Sequence, residues 1–351
     1  MEIYGEIKGI NYKVFLNKPL ISYPFRNLDK ALSERGSFIL EVDKENKFAV
    51  SRWVSPKRTR SYPYARIYDT LAFTGKKITI IPIIKDEGKD GDRDFLQWDT
   101  ISLMSLLGIY VIVGYYKEAE RNPHYKNKIT NQKFDTKYLK GEIISLLSYQ
   151  SDALHWNLEQ VDKIWDVANR AFESYKEISR KKGVKMHSIA SAKKHIEELY
   201  KNKEDFIKTS RELSHKAQRR ESLTVQPKEH LEGSKGIITI KNYLGGYYYF
   251  TCDEVKIKGE NIYLIEGKHT NKGILPSEDD IKDGLIKMIL YTNLKNVLVY
   301  GKRYNPVPVL KLTSKMDFKE ELLSESKRKI LNLLRREAEH NGFRIEISKI
   351  T

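Results

Sequence analysis

Asp253, Glu266 and Lys268 have the types and spacing that metal-assisted cleavage of a phosphodiester would use. That reaction takes a cation that tolerates hard oxygen ligands, an activated water, and positive charge to offset what builds up in the transition state. Two carboxylates and an ammonium supply those parts. Oxygen ligands with retained waters suit Mg2+. The lysine would position or deprotonate the attacking water. Gly267 has no side chain, so its carbonyl could approach the metal closely. The catalytic set read from the sequence is therefore Asp253, Glu266 and Lys268, and the metal set Asp253, Glu266 and Gly267.

Elements must bring these groups together. After Pro227, Gly233, Gly236, Gly245 and Gly246 punctuate runs of Ile and Tyr that favour strands. The segment reads as strand Gly236–Ile240, strand Tyr247–Lys258, a Gly259-Glu260-Asn261 turn and strand Ile262–Lys268, followed by a helix over about 279–294 and strand Val297–Tyr300. The tight turn brings Asp253 near the strand that carries Glu266, and period-two alternation puts Glu266 and Lys268 on one face. A charged helix over 318–337 and a last strand, Phe343–Ser348, follow.

A strand with Asp, a hairpin, an apolar strand ending in Glu-x-Lys, then a helix and a strand: this order resembles the PD-(D/E)xK nuclease superfamily, which includes most type II restriction endonucleases. The resemblance covers residues 236–300, about a fifth of the chain. It implies that Asp253 and Glu266 bind metal, that Lys268 is the catalytic lysine, and that His269, Thr270, Asn271 and Lys272 face DNA. Cys252 stands where the family often has Pro before the Asp. The tripeptide by itself decides nothing, because Glu-x-Lys recurs at Glu6, Glu45, Glu87 and Glu254. Only the copy at Glu266 combines a preceding apolar run, an Asp on the neighbouring strand and a helix-strand unit after it. Phe38–Asp43, with Asp29 upstream, has carboxylates but an Asp where the lysine belongs.

The chain has 351 residues, with 63 Lys and Arg against 47 Asp and Glu, a net charge of +16 that points to a polyanionic partner. The segment Arg52 to Tyr64 alternates cations with rings. Cations neutralise phosphates and aromatic faces stack on bases, so Arg52, Lys57, Arg58 and Arg60 are candidate DNA contacts. Lys193, Lys194, Arg219 and Arg220 belong to a cationic helical stretch that could lie along a duplex. Gly108–Gly114 fits one continuous core strand, not the two separate strands of GIY-YIG nucleases. Asp90, Asp92 and Asp94 lack the Glu that a calcium loop needs at its twelfth position, and His187 and His195 are eight apart, not four. Neither a phosphate-binding GxxxxGK[ST] loop nor a GxGxxG fingerprint occurs. The single cysteine, Cys252, excludes an internal disulfide framework and reads as a small core residue. The longest apolar stretch, Leu103–Val113, falls short of the roughly 20 residues of a membrane span.

The expected fold is α/β (α+β): a mixed-sheet nuclease core flanked by helices over 229–351, a helical region over 136–228 and an α/β region over 1–135. The expected activity is that of a type II restriction endonuclease, a Mg2+-dependent, sequence-specific hydrolysis of double-stranded DNA in the cytoplasm. A palindromic target would make a homodimer natural. A structure-selective repair or recombination nuclease, and a non-catalytic DNA-binding module on a nuclease fold, are the alternatives.

Overall fold

The computed structural model describes residues 1–57, 62–200, 234–241 and 247–349. Arg58, Arg60, Arg219 and Arg220 lie outside the described residues. Strand β1 (Glu2–Glu6) is followed by β2 (Ser22–Pro24), α1 (Leu28–Glu34), β3 (Ser37–Glu41), β4 (Lys47–Arg52), α2 (Pro63–Thr70), β5 (Lys77–Pro82), β6 (Ile84–Asp86) and β7 (Arg93–Phe95). Next come α3 (Trp98–Leu106), β8 (Ile109–Gly114), β9 (Tyr116–Arg121), β10 (Ile129–Phe134), α4 (Thr136–Leu147), α5 (Ala153–Asp162), α6 (Ile164–Lys182) and α7 (Ile189–Tyr200). The last part holds β11 (Ser234–Lys241), β12 (Tyr247–Lys258), β13 (Asn261–Thr270), α8 (Glu278–Thr292), β14 (Lys295–Val299), β15 (Lys302–Arg303), β16 (Asn305–Ser314), α9 (Glu325–Asn341) and β17 (Arg344–Lys349).

These elements form two units, Pro19–Ser210 and a discontinuous one made of Met1–Lys18 with Arg211–Thr351. The three consecutive stretches expected from composition do not match this division. Helices α4 to α6 belong with the first sheet, while β1 joins the last one.

In the Pro19–Ser210 unit, a five-stranded sheet runs β2-β3-β4-β5-β8, with β3 and β4 antiparallel and the other neighbours parallel. Phe38, Leu40, Val50, Ile80 and Ile112 face Leu139, Ile143 and Leu146 of α4 in its core. Strand β8 is an edge, and helix α5 covers it. Asn157 Oδ1 accepts from Val111 N at 2.7 Å, Asn157 Nδ2 donates to Ile109 O at 2.9 Å, and Trp156 Nε1 donates to Val111 O at 2.7 Å. Side chains thus satisfy backbone groups that an open edge would offer to another chain. This is why the helical stretch cannot be a separate layer.

In the other unit, an eight-stranded mixed sheet runs β15-β14-β1-β11-β12-β13-β16-β17. Strands β11, β12 and β13 form an antiparallel meander, and β13, β16 and β17 are parallel. The hairpin between β12 and β13 closes at Lys258↔Asn261, so its turn is Gly259-Glu260, with Gly259 at φ +60° where glycine costs least. The strand expected after the helix, at Val297–Tyr300, corresponds to β14, which pairs with β1 rather than with the site strands. The parallel neighbour of β13 is β16, a strand the sequence reading passed over. Among the described residues, no helix is long and apolar enough to cross a membrane.

Candidate active site

Strand β12 carries an irregularity where the chemistry was expected. Against β11 the register runs Gly236↔Cys252 and then Ser234↔Val255, so β12 has one extra residue at Asp253–Glu254. Its pairing with β13 extends only to Glu254↔Ile265. An extra residue bends a strand and re-aims its side chains, a device common beside functional sites. Here it frees Asp253, whose Oδ2 accepts from the Gly267 N–H at 2.9 Å. That bond ties the Asp253 carboxylate to the strand segment between Glu266 and Lys268.

Glu266 is only 2% exposed, in a strand with neighbours on both sides. A buried carboxylate needs partners. Lys268 Nζ lies 2.9 Å from its Oε1, and Lys287 Nζ lies 2.7 Å from its Oε2. Lys287 also donates to the Thr251 carbonyl at 2.8 Å, and Lys268 donates to Asp283 Oδ2 at 2.6 Å. The result is a row of alternating charge: Asp283, Lys268, Glu266, Lys287. Helix α8 supplies both ends of the row, because Asp283 and Lys287 are four residues apart and share a helix face. Ser277 fixes the start of that helix, its Oγ accepting from Asp280 N at 3.1 Å, and Glu278, Asp279 and Asp280 complement the helix dipole in the first turn.

The helix lies directly on the lysine stem. A Cβ at Gly284 would sit 3.2 Å from Lys268 Cε and 2.7 Å from Leu310 Cδ1, so only glycine lets α8 come this close. Below the charged row the site is neutral. The Tyr291 ring stacks on Phe250 at 5.6 Å, and burial holds its hydroxyl well above the usual tyrosine range. Burial likewise pushes the Cys252 thiol up to about 12, so it remains a protonated core residue, not a nucleophile.

The donor set fits a hard cation with water completing its shell. Asp253 and Glu266 are the two carboxylates. Although Lys287 is close to Glu266 Oε2, that buried oxygen makes no hydrogen bond of good angle among the described residues, leaving it acceptor capacity. No group of three or more His, Cys, Asp or Glu converges among the described residues, so side chains would supply the lesser part of the shell. Gly267 engages the site through its N–H to Asp253.

The candidate DNA contacts fall in both units. His269 and Thr270 end β13 past Lys268, and Asn271 and Lys272, both exposed, follow in the loop after it. The His269 ring spans Thr313 Oγ1 and Asn271 Oδ1, at 3.1 Å each, which orients it along the strand ends. Lys327 at the start of α9 reaches the same loop, 3.5 Å from the Leu275 carbonyl. In the Pro19–Ser210 unit, Lys57 and Lys194 are exposed. Lys193 lies over the Phe172 ring at 6.0 Å. Arg52 donates to the Arg35 carbonyl at 3.0 Å, holding a turn. The rings expected to stack on bases are partly spent on the core: Trp53 and Tyr64 are buried and meet edge to face at 6.1 Å, whereas Tyr62 is exposed.

Asp283 and Lys287 were not singled out from the sequence. Their signal was the i,i+4 spacing of opposite charges in the helix after Glu-x-Lys, which also describes an ordinary solvated face. Comparison of the chain with protein-family models, with curated proteins and with solved structures finds no match.

Proposed function

We propose that this protein is a Mg2+-dependent endonuclease that hydrolyses phosphodiester bonds in double-stranded DNA at specific sequences, in the manner of type II restriction enzymes. The observation that carries the reading is Lys268 held between Glu266 and Asp283, next to the Asp253–Gly267 bond. An acid pair and a lysine, mostly buried between strand and helix, supply what the hydrolysis requires. A net charge of +16 adds the means to hold a polyanion.

Asp253 and Glu266 would hold the metal, which when bound supplies a Lewis acid and lowers the pKa of coordinated water. Lys268 would orient the attacking water and offset charge on the phosphoryl oxygens. The Gly267 N–H fixes the Asp253 carboxylate, and α8 excludes solvent from one side of the acids. Asn271 and Lys272 would meet the DNA beside the scissile bond. A two-fold dimer on a palindromic site, acting in the cytoplasm, completes the proposal.

The test is incubation of plasmid and phage DNA with wild type and Lys268→Ala, each with magnesium and with chelator. Discrete fragments from wild type with magnesium alone are expected. Smearing or cleavage confined to flaps and junctions would make it a structure-selective repair nuclease. Salt-sensitive binding without cleavage by wild type would make it a DNA-binding module and overturn the reading.

A further inference from the structure

We infer that Asp283 is a positioning residue for Lys268, sharing the ammonium with Glu266 so that this carboxylate keeps capacity for a cation. The inference rests on the nuclease reading above. Lysine is a compact charge on a flexible four-carbon stem, so a site that uses one must hold it in place. Two carboxylates compete for Lys268: Asp283 Oδ2 at 2.6 Å and Glu266 Oε1 at 2.9 Å. The shorter contact, a hydrogen bond, is to Asp283. Without it the ammonium would turn fully toward the carboxylate proposed to bind metal, and would compete with the metal for it.

The geometry makes Asp283 a rigid anchor. It sits one turn into α8, between the capped start at Ser277 and the bond from Lys287 to the Thr251 carbonyl. Its neighbour Gly284 brings the helix backbone against the Lys268 stem, which ends at Asp283. The two lysines therefore have different tasks. Lys287, fixed to strand β12 as well, is the standing counter-ion of Glu266; Lys268 is shared, and Asp283 sets its position.

The test compares wild type with Asp283→Asn, which keeps the shape and removes the charge, by two readouts. In the first, reductive methylation with labelled formaldehyde and peptide mapping gives the labelling rate of each lysine without substrate or metal. Lys268 is expected to label slowly in wild type and at least threefold faster in the variant, with exposed Lys194 and Lys272 unchanged. In the second, kcat for DNA cleavage is expected to fall by about 10–100-fold while DNA affinity measured with Ca2+ stays within about twofold. Asp283→Glu, with the charge retained one methylene further out, should recover part of both losses, and it reads the same quantities if the Asn variant does not fold. An unchanged Lys268 labelling rate overturns the inference, as does unchanged kcat in a wild type that cuts. Loss of Mg2+ binding by calorimetry with Lys268 labelling unchanged would make Asp283 a metal ligand and also overturn it. If wild type cuts no DNA, the nuclease reading fails by itself, and the labelling rate still decides whether Asp283 holds Lys268.

Discussion

Lys287 of α8 and Glu266 of β13 form a buried ion pair, Nζ to Oε2 at 2.7 Å, with the acid 2% and the lysine 5% exposed. Removing one partner from such a pair leaves a charge in low dielectric, whereas replacing both can be nearly neutral. Lys287→Met should therefore destabilise the protein by about 3 kcal/mol, the lower end of the usual range because Lys268 still faces Glu266. Lys287→Met combined with Glu266→Gln should recover at least half of that loss. Urea denaturation of the single and double variants checks this. A single variant within about 0.5 kcal/mol of wild type would show that the pair contributes nothing.

Gly284→Ala tests the close approach of α8 to β13. The added methyl would press on Leu310, which is fully buried, and on the Lys268 stem. Overpacking of this kind costs about 1–3 kcal/mol. Cleavage should fall further than stability does, because the displaced group is Lys268 itself. Thermal denaturation and single-turnover cleavage measured together would separate the two; parallel small losses would argue against a positional effect.

Asp135 and Tyr115 set opposite limits to the stability of the Pro19–Ser210 unit. Burial alone would raise the Asp135 carboxyl, but the Tyr138 N–H, the Tyr115 hydroxyl and Lys117 outweigh it and hold the group below its ordinary 3.8. A depressed acid stabilises the fold above that value and loses the contribution as pH falls through its lowered pKa. Burial and the bond to Asp135 push the Tyr115 hydroxyl up to about 12, so its contribution is complete below pH 10.0 and is lost as pH rises toward 12. Asp135→Asn, which keeps a capping side chain for α4, should lose less stability than wild type between about pH 6 and about pH 3. Urea midpoints in acid would check that limb, and tyrosinate absorbance titrated in base the other.

Glu337 of α9 is fully buried and accepts from Tyr12 Oη at 2.8 Å, Phe15 N at 2.9 Å and Leu16 N at 3.2 Å. One carboxylate therefore anchors the segment after β1. Glu337→Ala leaves two backbone N–H groups without their acceptor, at a cost of about 2–4 kcal/mol. Hydrogen exchange at Phe15 and Leu16 should accelerate more than exchange in β12 or β13. Uniform acceleration would show only global destabilisation.

The sequence carried the local parts of this site and not its long-range ones. The hairpin was legible because a Gly turn separates two β-favouring runs; α8, expected from about residue 279, starts at Glu278 where Ser277 caps it. The observed start of α9 is Glu325, later than expected, because Ser324 supplies the cap and the preceding charged residues stay outside the helix. Strand β16 was hidden by Pro306 and Pro308, which argue against a central strand. Both precede its first pair with β17, Val309↔Arg344, so on that side no ladder bond is lost. The extra residue at Asp253–Glu254 is a property of pairing with β11 and has no signature in β12 alone. The rings of Trp53 and Tyr64 misled because composition near cations does not say which side of a strand end faces the core.

Strand β1 lies between β14 and β11, with Glu2 opposite Ile237, so the intervening unit is an insertion within the eight-stranded sheet. Assembly on the ribosome acquires an order from this. Synthesis runs at about 5–20 residues per second, so β1 waits on the order of tens of seconds for its partner strand to be made. The Pro19–Ser210 unit can fold in that interval, before β11 has been made. A partly made chain then displays a finished first unit and an unformed acid-lysine row. The connectivity thus delays completion of the eight-stranded sheet until most of the polypeptide exists.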